Sequence, residues 1–361
     1  MAILINHGKS RKEECGRLTS FFVPLNNRTN ILDNPQLFDN HGRELSYLRL
    51  AVTDRCNLRC TYCMPAEGIN YMPERELLSW EEMFRLTRIM HEMGIKKVRI
   101  TGGEPFVRNG LLDFLTNLAG LKDLEICLTT NGVFLGDYMD DLQKLGVRHI
   151  NLSLDSLDRD RFKQITRRDD FEKVYENLLR LIQAGFQVKI NAVVMQGKNE
   201  EDIIALTEFA REHPVSVRFI EEMPFNGSGL VEDTLFWDHI RILERIKSAF
   251  PGLQARPFLY GETAYTYDVP GFKGNVGVIA AFSRTFCGTC NRIRLTAKGQ
   301  VKTCLYDDGV FDLKAYLRSG VSDEELKNQL LTLFNKRPLD GFEAENKRTE
   351  VITESMTTIG G

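Results

Sequence analysis

The sequence predicts an α/β fold: an incomplete, TIM-like (β/α)6 barrel with a smaller C-terminal α+β unit closing its mouth. Three observations carry this. Short apolar strands alternate with apolar-periodic helices across roughly 180 residues, which implies parallel strands with crossover connections. Six such units fall short of the eight that need about 250 residues in a closed barrel. No G-x-G-x-x-G follows the first strand, which lowers the rival doubly wound sheet.

Residues 1–44 have no sustained period and read as an extension, partly ordered at most. The βα grammar opens with YLRLAVT (47–53) as a strand. Ser79 and Glu82 form a capping box that starts a helix, and Gly94 ends it. KKVRIT (96–101), EICLTT (125–130), HINLSL (149–154), QVKINAVV (187–194) and VSVRFI (215–220) follow as strands. Helices fall between them near 110–119, 137–145, 171–184 and 201–212. After about residue 230 a helix is expected over 234–249. YTYDVPG, NVGVIAAF and RIRLTAKGQVKTCL then read as short strands, with a hairpin at Lys298-Gly299. Helical stretches at 310–319 and 322–335 precede a polar tail ending MTTIGG. The expected division is an extension (1–44), a barrel core (45–250) and a C-terminal unit (251–361).

A net charge of −3 gives no global drive toward nucleic acid or a membrane surface. No run of about 18 apolar residues suggests a membrane span, and the N-terminus lacks a signal-peptide core. A cytoplasmic location is the default. The eight cysteines, some at C-x2-C spacing in a long chain, favour metal or redox chemistry over disulfides.

Cys56, Cys60 and Cys63 follow the first strand at C-x3-C-x2-C spacing. Loops after strands form the active face of a parallel barrel. Three thiolates from one loop suit three corners of an iron–sulfur cubane, leaving one iron open. On spacing alone a zinc site with a distant fourth ligand is about as good a reading, and three unrelated buried cysteines are a plainer one. Cys287, Cys290 and Cys304 form a second trio, with no histidine nearby in sequence. Two incomplete zinc sites are a poorer reading than two clusters, each with an open iron. Cys15 reads as a stray thiol and Cys127 as a small core residue.

The C-x3-C-x2-C run resembles the signature of the radical S-adenosylmethionine (SAM) superfamily, and TGGEP (101–105) resembles its glycine-rich motif. TDRCNLRCTYCMP, RITGGEP, TTNG, NLSLDSLD, RFIEEMP, CGTCNRIRL and the terminal double glycine together resemble the GTP 3′,8-cyclases of molybdenum cofactor biosynthesis. The long N-terminal extension departs from that pattern.

The resemblance implies two [4Fe-4S] clusters, one on Cys56, Cys60 and Cys63, the other on Cys287, Cys290 and Cys304. It implies that SAM chelates the first open iron, with Tyr62, Gly103, Ser153 and Met223 lining its site. Arg49, Arg99, Thr129, Lys189, Arg292 and Arg294 match GTP contacts, and the second open iron would meet the guanine base. Gly360 and Gly361 would reach the active site and matter for catalysis. The implied reaction is reductive cleavage of SAM, hydrogen removal from ribose C3′, and bonding of C3′ to guanine C8. The implied partners are a one-electron reductant protein, the next pathway enzyme and a second copy in a homodimer; nucleic acid and membranes are not among them.

Plainer readings stand beside these. The strand arginines and lysine could pair internally with Glu104 or Asp155, Met223 could be core, and the tail could be unstructured. Two rivals remain: a radical SAM enzyme acting on a peptide or another metabolite, and a zinc-stabilised binding protein without catalysis.

Overall fold

The structure is a computed structural model that describes residues 36–225, 237–350 and 352–360. Six strand–helix units build the barrel core. The strands are β1 (Tyr47–Ala51), β2 (Lys97–Thr101), β3 (Glu125–Thr130), β4 (His149–Ser153), β5 (Gln187–Val194) and β6 (Ser216–Glu221). The helices are α1 (Trp80–Glu92), α2 (Leu111–Ala119), α3 (Met139–Lys144), α4 (Arg159–Thr166), α5 (Phe171–Gln183), α6 (Asp202–Glu212) and α7 (His239–Ala249). The expected capping box is present: Ser79 Oγ accepts from Glu82 N at 3.2 Å, and Glu82 Oε2 accepts from Ser79 N at 2.8 Å. The short α4 escaped the sequence reading because only Phe162, Ile165 and Thr166 of its eight residues are buried.

All six strands run parallel in sequence order, in an open sheet. The chain after α7 adds β7 (Gln254–Ala255), β8 (Ala264–Asp268), β9 (Asn275–Ile279), β10 (Arg292–Leu295), β11 (Gln300–Lys302) and β12 (Phe311–Asp312). These strands extend the barrel sheet at both edges. β9 pairs parallel to β6, and β10 pairs parallel to β1. The sheet order is β12-β11-β10-β1-β2-β3-β4-β5-β6-β9-β8-β7. The expected hairpin joins β10 to β11. Helices α8 (Leu313–Arg318), α9 (Asp323–Phe334), α10 (Gly341–Asn346) and α11 (Met356–Ile359) complete the chain.

Strand alternation divides the two faces of the sheet. Along β5, Val188, Ile190, Ala192 and Val194 are buried in the apolar layer under the helices. Lys189 and Asn191 point the other way and line a cavity inside the sheet's curve. On β1, Leu48 and Leu50 are fully buried while Tyr47 and Arg49 line that cavity. The inner face is therefore polar and hollow, unlike a closed barrel packed with branched apolar side chains.

Residues 36–44, read from sequence within the extension, form a turn closed by an antiparallel bridge between Phe38 and Glu44. Cys15 and Gly361 lie outside the described residues. Among the described residues, no helix is long and apolar enough to cross a membrane.

Candidate active site

Two cavities open inside the sheet, with volumes of about 170 and 440 Å3. Cys56, Cys60 and Cys63 line the smaller, with Tyr62, Gly103, Thr129, Ser153 and Met223. Cys287, Cys290 and Cys304 line the larger, with Arg49, Arg99, Lys189 and Arg292. Arg294, Met223, Asn191, Ile220 and Leu305 line both, so the cavities share a wall. Thr129, grouped with the GTP contacts by resemblance, lies on the first-trio side.

The first trio's loop is anchored to α4. Arg59 N and Thr61 N donate to the carbonyls of Thr166 and Ile165, both at 2.9 Å. The guanidinium of Arg59 donates to Cys56 O at 2.6 Å. The TGG turn after β2 fixes the loop's other side. Gly103 N donates to Thr53 O at 2.8 Å. A Cβ on Gly103 would lie 2.1 Å from Arg55 O, so only glycine lets the two backbones meet there. The double glycine thus has a docking role as well as a cavity-lining one.

All six thiols are free. Burial pushes Cys56 up to about 11, with Glu104 adding to the effect. Burial and the neighbouring thiols also raise Cys60 and Cys63. In the second trio burial raises Cys287 and takes Cys304 to about 12. Burial opposes ionisation of Cys290, but Arg292 and Arg337 win and bring it down to about 6. Thiolate ligation by the other five therefore needs the positive charge of a bound metal group. Among the described residues, no three His, Cys, Asp or Glu side chains converge closely enough to hold a single ion. Tetrahedral zinc at about 2.3 Å would draw thiolates to within about 4 Å of each other. A four-iron cluster takes one thiolate per iron, so each trio suits three of its corners.

The larger cavity is a cation well. Among the described residues its lining carries Arg49, Lys97, Arg99, Lys189, Arg218, Arg284, Arg292 and Arg294, against the carboxylate of Glu262. Register sharpens this. Arg294 on β10, Arg49 on β1 and Arg99 on β2 are direct neighbours across three adjacent strands. Adjacent strands lie about 4.8 Å apart, and like charges directly opposed destabilise a sheet. Burial and the flanking arginines bring Arg294 down to about 9. Burial likewise takes Arg218 to about 10 and Lys189 to about 8. Lys97 and Arg284 pair with Glu125 and Glu345, at 2.9 and 2.8 Å. Glu104 and Asp155, the internal partners considered from sequence, face elsewhere. Glu104 accepts from Thr130 Oγ1 and Asn131 N at 2.9 and 2.7 Å, and Asp155 from Val193 N and Tyr62 Oη at 2.8 and 3.0 Å. Burial leaves both carboxyls at about 7.

Buried polar atoms also wait on the cavity walls. Thr129 Oγ1, Asn151 Oδ1, Asn191 Oδ1, Arg218 Nε and Arg292 Nε have no hydrogen-bond partner among the described residues. Buried polar groups normally find partners, so such a set marks a ligand surface.

Comparison with known proteins agrees with this chemistry. Residues 50–210 match the Radical SAM superfamily model, and residues 215–342 the Molybdenum Cofactor Synthesis C model. A GTP 3′,8-cyclase of Syntrophomonas wolfei is 40% identical over 338 residues, covering 90% of this chain and all of that protein. The chain belongs to the GTP 3′,8-cyclase family. Molybdenum cofactor biosynthesis protein 1 of Drosophila melanogaster is 43% identical over 311 residues, covering 85% of this chain. The chain spans about half the length of that relative, 55%. In fold, it superposes on Streptococcus suis SuiB with a TM-score of 0.56 at 17% identity, covering 86% of this chain and 70% of that one.

In this member of the GTP 3′,8-cyclase family the C-terminal tail lies inside the site. Ser355 Oγ donates to Cys63 O at 2.7 Å, and Met356 and Thr357 line the first cavity. Arg294 donates to Gly360 O at 2.5 Å, and Arg49 to the same oxygen at 3.4 Å. Gly360 has φ 76°, and a Cβ there would lie 2.9 Å from Thr101 Cγ2. Sequence reasoning named the glycines but missed Ser355, Met356 and Thr357, whose four-residue helix gives no periodic signal. It also missed Asn151, Asn191, Lys97 and Arg218. The signal was available for Asn191, which sits two residues from Lys189 on β5 and so shares its face.

Proposed function

We propose that the chain uses SAM and two [4Fe-4S] clusters to convert GTP to (8S)-3′,8-cyclo-7,8-dihydroguanosine 5′-triphosphate. This is the first step of molybdenum cofactor biosynthesis. The carrying observation is the row Arg294–Arg49–Arg99 in the second trio's cavity, with Arg294 on the wall that this cavity shares with the first trio's. A triphosphate neutralises that row through charge-assisted, bidentate contacts. When bound, the reduced first cluster and SAM supply the one-electron chemistry that removes hydrogen from ribose C3′.

The chain's own residues do the positioning. Arg49, Arg99, Lys189, Arg292 and Arg294 would hold the phosphates, and Cys287, Cys290 and Cys304, in the same cavity, would hold the second cluster, whose open iron would bind the base. Tyr62, Gly103, Ser153 and Met223 line the SAM side, with Tyr62 oriented by its hydrogen bond to Asp155. Thr129 Oγ1 lies on that side too, as an open polar partner. Met356 and Thr357 cover the first cavity, Ser355 ties the tail to Cys63 O, and Gly360, continuing to Gly361, brings a carbonyl to the arginines. The packed tail excludes water from the reacting centre. A one-electron reductant protein supplies the electron. We place the protein in the cytoplasm, where free thiols persist, with homodimerisation and hand-over to the next enzyme as part of this reading.

The test is anaerobic reconstitution with iron and sulfide, followed by metal analysis and GTP turnover. About eight irons and eight sulfides per chain are expected for two cubanes, with the cyclised nucleotide as product. About four irons without GTP turnover would favour the peptide or metabolite rival, and retained zinc without iron the binding protein.

Lys189 adds a pH signature. Burial holds the free lysine at about 8, and a bound phosphate favours its charged form. GTP affinity is therefore steady below pH 8 and falls as pH rises, by up to about tenfold per unit until the bound-state value is reached. Calorimetric titration between pH 7 and 9, stopping where Arg294 itself loses charge, measures this. Lys189→Arg should flatten the fall, and an unchanged slope would remove Lys189 from the phosphate site.

A further inference from the structure

Arg337 lies just after α9, outside every motif that identified the site, yet its side chain is 2% exposed. All five of its N–H donors are engaged. Nε donates to Thr303 O at 2.9 Å. One terminal nitrogen donates to Asp39 Oδ2 and Cys290 O, both at 3.0 Å. The other donates to Arg292 O at 3.0 Å and to Cys290 Sγ at 3.4 Å. Asp39, whose side chain is fully buried, also accepts from Arg43 Nε at 2.7 Å. Arg43 in turn donates to Cys287 O at 3.2 Å, and to Pro338 O and Leu339 O at 2.8 and 2.6 Å.

This network touches every segment that carries the second trio. Cys287 is held through its carbonyl by Arg43, Cys290 through carbonyl and sulfur by Arg337, and Cys304 through the carbonyl of its neighbour Thr303. The balance is two guanidinium groups against one carboxylate, so the network leaves a surplus positive charge beside the thiols. A buried surplus is costly unless something negative faces it, and a thiolate-ligated cluster is that partner.

We propose that Arg337, seated on Asp39 and seconded by Arg43, is the positioning residue of the second cluster and raises its reduction potential. The inference rests on the two-cluster reading above. Reduction adds one negative charge to the cluster. A cation and an N–H···S hydrogen bond stabilise the reduced form more than the oxidised one. Arg337 acts through the cysteine thiolates and not on GTP. Lysine cannot replace it fully, because a lysine has three donors and no planar fork.

The test uses the full chain, reconstituted anaerobically, in wild-type, R337Q and R337K forms. Each is titrated with a reductant while electron paramagnetic resonance follows the two clusters. The second cluster's midpoint potential should fall in R337K and further in R337Q, with the first cluster's unmoved. Loss of about four irons from R337Q alone, with the first cluster intact, fits a clamp, and R337K then decides by its potential. An unmoved second-cluster potential in R337K, or equal shifts at both clusters, overturns the proposal. Wild-type protein holding only about four irons would instead overturn the two-cluster reading.

Discussion

Cys56→Ala is expected to abolish SAM cleavage, leaving 5′-deoxyadenosine at the level of a protein-free control. The residue supplies one of three thiols on a single loop, and a cubane with two protein thiolates loses its anchorage. Iron should fall from about eight to about four per chain. The second trio sits on the segments around β10 and β11, held by Arg43 and Arg337, and among the described residues it shares no hydrogen bond with the first loop's cysteines. Its four irons should stay. The fold should stay as well, because Cys56 is half-buried and its side chain holds only weak local contacts, Asn131 Nδ2 at 3.6 Å and the backbone of Leu58. Alanine is the cleaner substitution, since a serine hydroxyl retains a ligating oxygen. Chromatographic assay of 5′-deoxyadenosine with parallel iron analysis checks the result. Cleavage persisting above background would remove this loop from the chemistry.

How much of this was legible beforehand depends on the range of the interaction. The strand–helix grammar was legible because each element carries its own pattern. QVKINAVV alternates buried and half-buried residues along β5, and Ser79 with Glu82 marks the start of α1 within four residues. The cysteine trios were legible for the same reason. The arginine row was not legible as a row. Arg49, Arg99 and Arg294 are neighbours only through strand pairing across 245 residues of sequence between the first and the last. Likewise β9 and β10 follow closely in sequence but join opposite edges of the parallel strands, a choice that no local pattern records. Residues 36–44 looked unstructured because their order comes from Asp39 bonding Arg337, 298 positions away. Such ion pairs leave no period behind.

The arginine row makes a second large prediction, one with opposite signs for binding and stability. Arg294→Gln should weaken GTP binding while making the ligand-free protein more stable. A hydrogen bond to a charged group is worth about 1.5–3 kcal/mol, so losing Arg294 should cost about 10- to 150-fold in GTP affinity. The stability sign follows from the shifted ionisation. Burial, then Arg49 and Arg292, bring Arg294 down to about 9 from 12.5. Folding therefore disfavours its charged form. That penalty is fully present below about pH 9 and fades as pH rises toward the unfolded value. At neutral pH glutamine removes it, keeps an amide donor for Gly360 O, and relieves Arg49 of a like-charged neighbour. Thermal unfolding without nucleotide should shift upward. The further rise that GTP gives the wild type should shrink in step with the lost affinity. A binding site that stores cationic repulsion and releases it only onto a polyphosphate trades stability for affinity. If Arg294→Gln lowers the ligand-free melting temperature and leaves GTP affinity intact, the row is structural and the triphosphate must bind elsewhere.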